Sequence, residues 1–270
     1  MQGIGRALAE KFLRLGDNVV ICARSPDGVD AAVKEMAAKY GEDRVVGAAC
    51  DVSSPDDLER LAKFAQDALG SIDVWINNAG TNAYSYGPLF EQDPAELRQI
   101  CETNVLGIML GCRQAIRTMK DQPGGGHIFN MDGAGADGSP TPRFAAYGST
   151  KHAIVQLNES LAAELKSAGL DAKVQVHNLS PGMVTTELLM SGSDTTQARW
   201  FINCLAEETA TVADFLVPKV RDVVTVLERA PLSQGLARKD IRFLTKLDAF
   251  KRIVTKAVLG KNKGRWVPEE

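Results

Sequence analysis

The stretch Asn18-Val19-Val20-Ile21-Cys22-Ala23 is a short apolar run rich in β-branched residues. It lies between two segments with helical spacing, Arg6–Leu15 and Asp30–Lys39. A run of this length, bounded by glycine and polar turn residues, is typical of a strand that is buried on both faces of a sheet. Because the strand alternates with helices, the pattern predicts βαβ units and a parallel sheet.

The same alternation continues to about residue 180, and the region from Met183 to Glu270 loses it. Ile241-Arg242-Phe243-Leu244-Thr245 in that region is a candidate last strand. The sequence therefore predicts an α/β fold with a C-terminal elaboration. The further predicted strands are Val45–Asp51, Asp73–Asn78, Gly126–Asp132 and Lys173–Ser180, and the further predicted helices are Pro55–Ala68, Glu96–Lys120 and Tyr147–Lys166.

Composition and charge exclude several functional classes. The 270 residues include 31 Lys and Arg against 34 Asp and Glu, a net charge of -3, so the molecule as a whole is not expected to bind nucleic acid. The five cysteines are widely spaced and the three histidines are dispersed, which predicts neither a disulfide framework nor a metal site. No apolar run is long enough to predict a transmembrane helix.

Glycines at the start of the first helix indicate a phosphate site. In Gly3-Ile4-Gly5 they would let the backbone approach a pyrophosphate, which the free N–H groups of the helix N-terminus attract. Alone, such a glycine pair is more often an ordinary turn. Asp51-Val52 and Asn78-Ala79-Gly80 follow predicted strands at their carboxyl ends, where open parallel sheets bind ligands. Together these stretches predict a nucleotide site.

Tyr147-Gly148-Ser149-Thr150-Lys151 is the strongest chemical signal. Residues four apart lie on one face of a helix, so the ammonium of Lys151 is expected beside the phenol of Tyr147. A free tyrosine has a pKa of about 10, and a neighbouring cation favours its phenolate. We therefore expect Lys151 to lower the pKa of Tyr147 and to make it a general acid or base for a carbonyl and alcohol pair. For an isolated pair, a surface contact would be the more common explanation.

The pair is not isolated, because the chain resembles the short-chain dehydrogenase/reductase family over roughly Met1 to Thr186. The matching motifs occur in the family's order and at about its spacings. The resemblance implies a Rossmann-type, doubly wound parallel sheet and a nicotinamide cofactor. It also implies one domain, with residues 1–192 as the catalytic core and residues 193–270 as substrate lid, possible last strand and basic amphipathic extension. The motifs are Gly3-Ile4-Gly5, Asp51, Asn78-Ala79-Gly80, Asn104, Tyr147/Lys151 and Pro181-Gly182.

Roles for individual residues follow from this resemblance. Tyr147 would donate a proton to a carbonyl oxygen, and Lys151 would depress its pKa and hold the nicotinamide ribose. Asn104 would anchor a water that links Lys151 to the solvent. The residues that would cover the nicotinamide are Pro181, Gly182, Val184 and Thr186.

Arg24 predicts the choice of cofactor. Relatives that prefer NAD end the second strand with an acidic residue, whereas this chain has Ile21-Cys22-Ala23-Arg24-Ser25. A guanidinium suits a ribose 2′-phosphate, with which it forms charge-assisted hydrogen bonds. We therefore expect NADPH and a reduction. The alternative is that Arg24 is a solvated loop charge.

Two departures from the family pattern matter. The usual catalytic serine, thirteen residues before the tyrosine, is Ala134 here, and Asp132 or Ser139 could replace it only if the Gly133–Gly138 loop folds back. The family's first strand and its Thr-Gly turn are missing before Gly3, so we expect a truncated gene model that also lacks any transit peptide. Without that central strand, its two neighbours would carry unpaired backbone groups.

Longer blocks resemble one group within the family, the chlorophyll(ide) b reductases of plants and green algae. The blocks are Gly126–Gly135, Thr141–Lys151, His177–Gly192 and Asn77–Asn82. The resemblance implies NADPH-dependent reduction of the 7-formyl group of chlorophyll b, in a homo-oligomer on the stromal side of the chloroplast thylakoid membrane. Alternatives are reduction of another hydrophobic carbonyl, and a catalytically silent nucleotide-binding scaffold.

The C-terminal region suits a large amphiphilic substrate. Trp200 and Phe201 could pack on a macrocycle or form part of a helix core. From Lys246 to Arg265, basic residues greatly outnumber the single acid, Asp248, and apolar residues recur at helical spacing. Such a helix is expected either to lie on an anionic membrane surface or to present a solvated face.

Overall fold

The computed structural model describes residues 3–229 and 239–269. Its strands are β1 (Val19–Ala23), β2 (Val45–Ala49), β3 (Val74–Asn77), β4 (Gly126–Met131), β5 (Val174–Ser180) and β6 (Asp240–Arg242). Its α-helices are α1 (Ile4–Arg14), α2 (Pro26–Tyr40), α3 (Pro55–Leu69), α4 (Pro94–Cys101), α5 (Gly107–Met119), α6 (Ala145–Ser167), α7 (Glu187–Met190), α8 (Thr196–Leu205), α9 (Thr209–Arg229) and α10 (Lys246–Leu259). Among the described helices, none is long and apolar enough to cross a membrane.

Parallel pairing confirms the predicted α/β class. β1 pairs with β2 in one sheet, and β3, β4, β5 and β6 pair in that order in a second sheet. β5 is buried along its whole length, as expected of a strand with helices on both faces. Helix α1 packs with α9 over the apolar ends of β4 and β5, so the core supports the carboxyl edge of the larger sheet.

A gap separates the two sheets. No ladder joins β1 to β3 among the described residues, and both strands line a cavity of about 2150 Å³. Apolar residues of the helices on either side, including Leu8 and Leu61, also line it. The same cavity continues to the carboxyl ends of the strands, where the predicted site residues lie.

Capping explains why α2 begins earlier than predicted. The expected start was Asp30, but the helix begins at Pro26. The Ser25 hydroxyl accepts a hydrogen bond from the backbone N–H of Gly28 at 3.1 Å, and proline is favoured at the first helical position because it needs no N–H partner there. The same Ser-Pro arrangement starts α3 at Pro55, as predicted.

The predicted helical stretch Glu96–Lys120 is confirmed, but its hydrogen-bond pattern is not α-helical throughout. Residues Glu102–Leu106 form a π-helical turn between α4 and α5. A π-turn inserts one residue into the helical repeat and therefore changes which side chain faces inward. Here it directs Asn104 into the protein, where the side chain is fully buried.

The last strand is shorter than the candidate Ile241–Thr245. β6 ends at Arg242, although the N–H of Phe243 still donates to the Ser180 carbonyl at 2.9 Å. Leu244 then packs over Gly182, where an added Cβ would lie 2.8 Å from the Leu244 Cβ. Thr245 then caps α10 by accepting a hydrogen bond from the N–H of Asp248 at 3.1 Å. β6 pairs with β5, so residues beyond 192 complete the sheet. The division of the chain at residue 192 stays a prediction.

Candidate active site

One cavity at the carboxyl edge of the strands brings the predicted site residues together. It is lined by every predicted cofactor-binding residue and by Tyr147 and Lys151, whereas Asn104 lies buried behind it. This is the edge at which open parallel sheets bind their ligands. The lining set includes Gly3, Ile4, Gly5, Arg24, Asp51, Val52, Asn78, Ala79, Gly80, Pro181, Gly182, Val184 and Thr186.

Helix α6 carries the central pair, Tyr147 and Lys151, one turn apart as the spacing predicts. The ammonium Nζ of Lys151 lies 5.5 Å from the centroid of the Tyr147 ring. Lys151 is buried, and its Nζ donates a hydrogen bond to the Met131 carbonyl at the end of β4, at 3.1 Å. The strand end therefore fixes the cation beside the phenol.

Burial changes the pKa of both groups, and for Tyr147 in the direction opposite to our expectation. The pKa of Tyr147 is raised, chiefly because the surrounding protein excludes water from the phenolate and further because Tyr86 and Asp132 would repel it. Burial lowers the pKa of Lys151 to about 8, while the charge of Asp132 opposes that shift. The expected net lowering of the Tyr147 pKa is therefore not found in this structure, because desolvation dominates.

Asn104 connects the loop after β3 to helix α6. Its Nδ2 donates to the Thr81 carbonyl at 2.8 Å and to Thr150 Oγ1 at 3.0 Å, and its Oδ1 accepts from the Thr81 N–H at 2.8 Å. Thr150 Oγ1 in turn donates to the carbonyl of Tyr147 at 2.6 Å. An amide oxygen accepts two hydrogen bonds, so Oδ1 keeps one lone pair for the predicted water.

Gly133 lies beside the Tyr147 hydroxyl, so that any side chain at position 133 would contact it. A Cβ built on Gly133 would be 2.5 Å from Tyr147 Oη. Among the described residues, neither Asp132 nor Ser139, the two proposed substitutes for the missing serine, has a hydrogen bond to Tyr147 Oη. Asp132 instead accepts a hydrogen bond from Asn178 Nδ2 at 2.7 Å, and Ser139 is exposed on the cavity rim. Tyr147 lines the cavity, and Tyr86 is close enough to raise the pKa of its phenol further.

The N-terminus of α1 fits a dinucleotide phosphate. Gly3 has a φ of 79°, a conformation that glycine adopts readily, and no side chain caps the helix among the described residues. A Cβ on Gly5 would lie 2.6 Å from Asn78 Nδ2, so only glycine allows this approach. In the described part of the chain, the buried Oδ1 of Asn78 has no hydrogen-bond partner. Helix N–H groups without a side-chain cap and an unpartnered amide oxygen, both in residues that line one cavity, fit a bound dinucleotide.

Arg24 and Asp51 lie at the adenosine side of this cavity in the predicted arrangement. Arg24 directly follows β1, is exposed on the cavity rim and attracts the carboxylate of Asp51. Asp51 Oδ1 accepts hydrogen bonds from the Ser53 hydroxyl at 2.7 Å and from its N–H at 2.9 Å, which lower the pKa of Asp51. This edge of the cavity therefore carries a carboxylate that is held by hydrogen bonds and, beside it, an exposed guanidinium on a long side chain.

Helix α8, in the region that was predicted to form a substrate lid, lines the other end of the cavity. Phe201 of α8 lines the cavity, whereas Trp200 packs edge-on against Phe201 and beneath Lys256. Phe201 therefore lies where it could contact a bound ligand, whereas Trp200 packs within the protein. Tyr86 Oη donates to the Leu188 carbonyl at 2.9 Å and ties the lid to the loop after β3.

Two ion pairs and one histidine contact were missed by sequence reasoning. Arg143 binds Asp194 on the lid with both terminal nitrogens, one at 3.0 Å, and Lys246 Nζ lies 3.0 Å from Asp137 Oδ2. The histidines are not all dispersed in space, since His127 Nδ1 lies 3.2 Å from His177 Nε2. These contacts join residues far apart in the chain, and only the pairing of β4 with β5 could have indicated the histidine contact.

Comparison with known proteins accounts for this arrangement. The family model described as short chain dehydrogenase matches residues 1–197. The chain belongs to the short-chain dehydrogenase family. It is therefore an oxidoreductase of Rossmann-type fold, as the resemblance predicted.

Relatives and solved structures refine the comparison. The chain is 51% identical over 269 residues to chlorophyll(ide) b reductase NOL, chloroplastic, from Oryza sativa subsp. japonica, covering 100% of this chain and 76% of that protein. The Arabidopsis thaliana protein of the same name is also 51% identical, with 75% of it covered. A metagenomic short-chain oxidoreductase in complex with NADP has a TM-score of 0.63 and 27% identity, covering 91% of this chain and 94% of that chain.

A side chain at position 133 should disable this dehydrogenase. We expect Gly133→Ala to lower kcat about 10²-fold, because the new methyl group displaces Tyr147 Oη from its working position. Steady-state turnover and thermal unfolding of the purified variant measure this. Gly124→Ala is the matched control, since a Cβ there meets nothing within 4 Å. Full activity of Gly133→Ala would contradict the placement of Tyr147.

Proposed function

We propose that this protein reduces the 7-formyl group of chlorophyll b or chlorophyllide b to a hydroxymethyl group, with NADPH as the reductant. The observation that carries the proposal is the Tyr147 and Lys151 pair, which lines the cavity beside Gly133, with the ammonium 5.5 Å from the centroid of the phenol ring. The relatives that share 51% identity over essentially the whole chain are named chlorophyll(ide) b reductases. Those names also support a chloroplast location, and the stromal thylakoid surface stays a prediction.

The chain's own residues supply the proton. Burial raises the pKa of Tyr147, so the phenol is protonated at neutral pH and donates its proton to the formyl oxygen. The formyl carbon would receive a hydride from NADPH when that cofactor is bound, and with the proton from Tyr147 the C=O group would become CH–OH. Lys151 is charged below about pH 8 and stabilises the phenolate that remains on Tyr147.

NADPH is preferred in this proposal because of Arg24. The guanidinium is exposed on the cavity rim, directly after β1, and can reach a ribose 2′-phosphate. The residues that would hold the rest of the cofactor are the α1 N-terminus, Asn78 and the Pro181-Gly182 turn.

A second candidate substrate is another hydrophobic carbonyl compound. Farnesol dehydrogenase from Aedes aegypti is 32% identical over 189 residues, covering 69% of this chain and 75% of that protein. Apolar residues such as Phe201 and Leu205 line the lid side of the cavity and would suit either substrate. Competition between chlorophyll b and farnesal for turnover separates the two candidates.

Replacing Tyr147 by Phe should abolish formyl reduction. We expect kcat to fall roughly 10²–10⁴-fold because the proton donor is lost, while NADPH binding measured by fluorescence titration stays largely intact. Tyr84→Phe is the control, since Tyr84 also lines the cavity but lies on the loop after β3. Retained turnover in Tyr147→Phe would refute this role for Tyr147.

The cofactor preference should depend on Arg24. We expect Arg24→Ser to raise the KM for NADPH roughly tenfold or more, because a charge-assisted hydrogen bond is lost, and to leave the KM for NADH nearly unchanged. Arg98→Ser, an exposed arginine outside the cavity, serves as the control. Equal changes for the two cofactors would mean that Arg24 does not read the 2′-phosphate.

The pH dependence should follow Lys151. Above about pH 8 the buried ammonium loses its proton and no longer stabilises the Tyr147 phenolate, so kcat/KM for reduction should fall as the pH rises. Below that pH, kcat/KM should be nearly constant down to the titration of other groups. Lys151→Met should be slow and lack this descending limb. A rate that rises through pH 8 would contradict the assignment.

A further inference from the structure

Helix α10 has its polar side turned towards the protein. Lys256 is only 4% exposed, forms an ion pair with Glu269 and lies 5.3 Å from the centroid of the Trp200 ring. One turn earlier, Arg252 Nη1 lies 3.7 Å from Glu207 Oε2. The inner face of α10 is therefore held by buried or half-buried cations and their partners.

The outer face of α10 is apolar instead. Its exposed residues recur at helical spacing and form one stripe, which we call the α10 stripe. A surface helix normally buries such residues and exposes its charges, so this polarity is inverted. The stripe consists of Leu247 (61% exposed), Phe250 (63%), Val254 (41%) and Val258 (73%), and Leu259 (65%) extends it at the helix end.

Basic residues accompany the stripe. Lys251 is exposed between its apolar side chains, and Lys261 and Lys263 are exposed just beyond the helix C-terminus. The only carboxylate within α10 is Asp248, which accepts a hydrogen bond from the Thr245 hydroxyl at 2.6 Å at the N-cap. An apolar stripe with lysines around it matches the apolar and anionic layers of a lipid surface.

The same helix borders the mouth of the active-site cavity. Thr245, Lys246 and Ala249 line that cavity from the N-terminal end of α10, and Leu244 precedes them. Leu247 and Phe250 are their neighbours in sequence and belong to the stripe. A surface that contacts the stripe therefore lies next to the cavity mouth.

We propose that the α10 stripe docks this protein on a bilayer that contains anionic lipids and places the cavity mouth at the lipid surface. The stripe provides apolar side chains for the acyl region, and Lys251, Lys261 and Lys263 attract the headgroups. An amphiphilic substrate then enters the cavity without crossing bulk water. The entry step rests on the proposed function, whereas the docking does not.

Vesicle flotation tests the docking. The full chain is floated with phosphatidylcholine vesicles and with vesicles that also contain phosphatidylglycerol. We expect at least tenfold more bound protein on the anionic vesicles, and loss of that binding in the double variant Phe250→Glu/Val254→Glu. Phe90→Glu is the control, because Phe90 is 87% exposed on another surface. Circular dichroism and thermal unfolding check that each variant folds.

Lysine substitution separates the two contributions. The triple variant Lys251→Gln/Lys261→Gln/Lys263→Gln should lose the preference for anionic vesicles while keeping its fold. Absence of vesicle binding by the unmodified protein, or equal binding by the double variant, would overturn the proposal. The first of these results would leave a protein partner as the occupant of the stripe.

Activity measurements distinguish this proposal from the proposed function. The double variant should reduce detergent-dispersed pigment at the unmodified rate, and vesicle-embedded pigment several-fold more slowly. Equal rates in both settings would refute entry from the bilayer. If the unmodified protein binds vesicles but reduces no formyl group in either setting, the proposed function fails and the docking stands.

Discussion

The buried amide of Asn104 is the constraint on which the active site depends. All its described hydrogen bonds go to the Thr81 backbone and to Thr150, so it joins the loop after β3 to the helix that carries Tyr147 and Lys151. A buried amide without hydrogen-bond partners would destabilise the fold. The π-turn interrupts an otherwise regular helix, and it directs the Asn104 amide inward to these partners. Moving any one of these elements would leave a buried polar group unpaired.

Desolvation then determines the chemistry of the Tyr147 and Lys151 pair. The same burial that raises the pKa of the phenol lowers that of the ammonium, so the two pKa values move apart. A protonated phenol beside a charged ammonium is the state that a proton donor needs before a carbonyl is reduced. The absence of a side chain on Gly133 leaves room at Tyr147 Oη for the carbonyl oxygen of a substrate.

The sequence predicts much of this architecture because its signals are local. Apolar runs located the strands, and the spacing of Tyr147 and Lys151 gave their shared helix face. Local signals do not show a π-turn, since one inserted residue barely alters the apolar pattern around Asn104. They also miss the inverted polarity of α10, because the partners of Arg252 and Lys256 lie elsewhere in the chain. The effect of burial on the pKa of Tyr147 likewise required the fold.

Transfer of hydrogen to the formyl carbon is the most direct test of the proposed activity. Purified protein is incubated with chlorophyll b and NADPH that carries deuterium on the reactive face of its nicotinamide, and the pigment is then examined by mass spectrometry. The predicted product is the 7-hydroxymethyl pigment with one deuterium on the new carbinol carbon. Recovery of the pigment with its formyl group intact would contradict the account. So would a reduced product that contains no deuterium, whichever face of the nicotinamide carried the label.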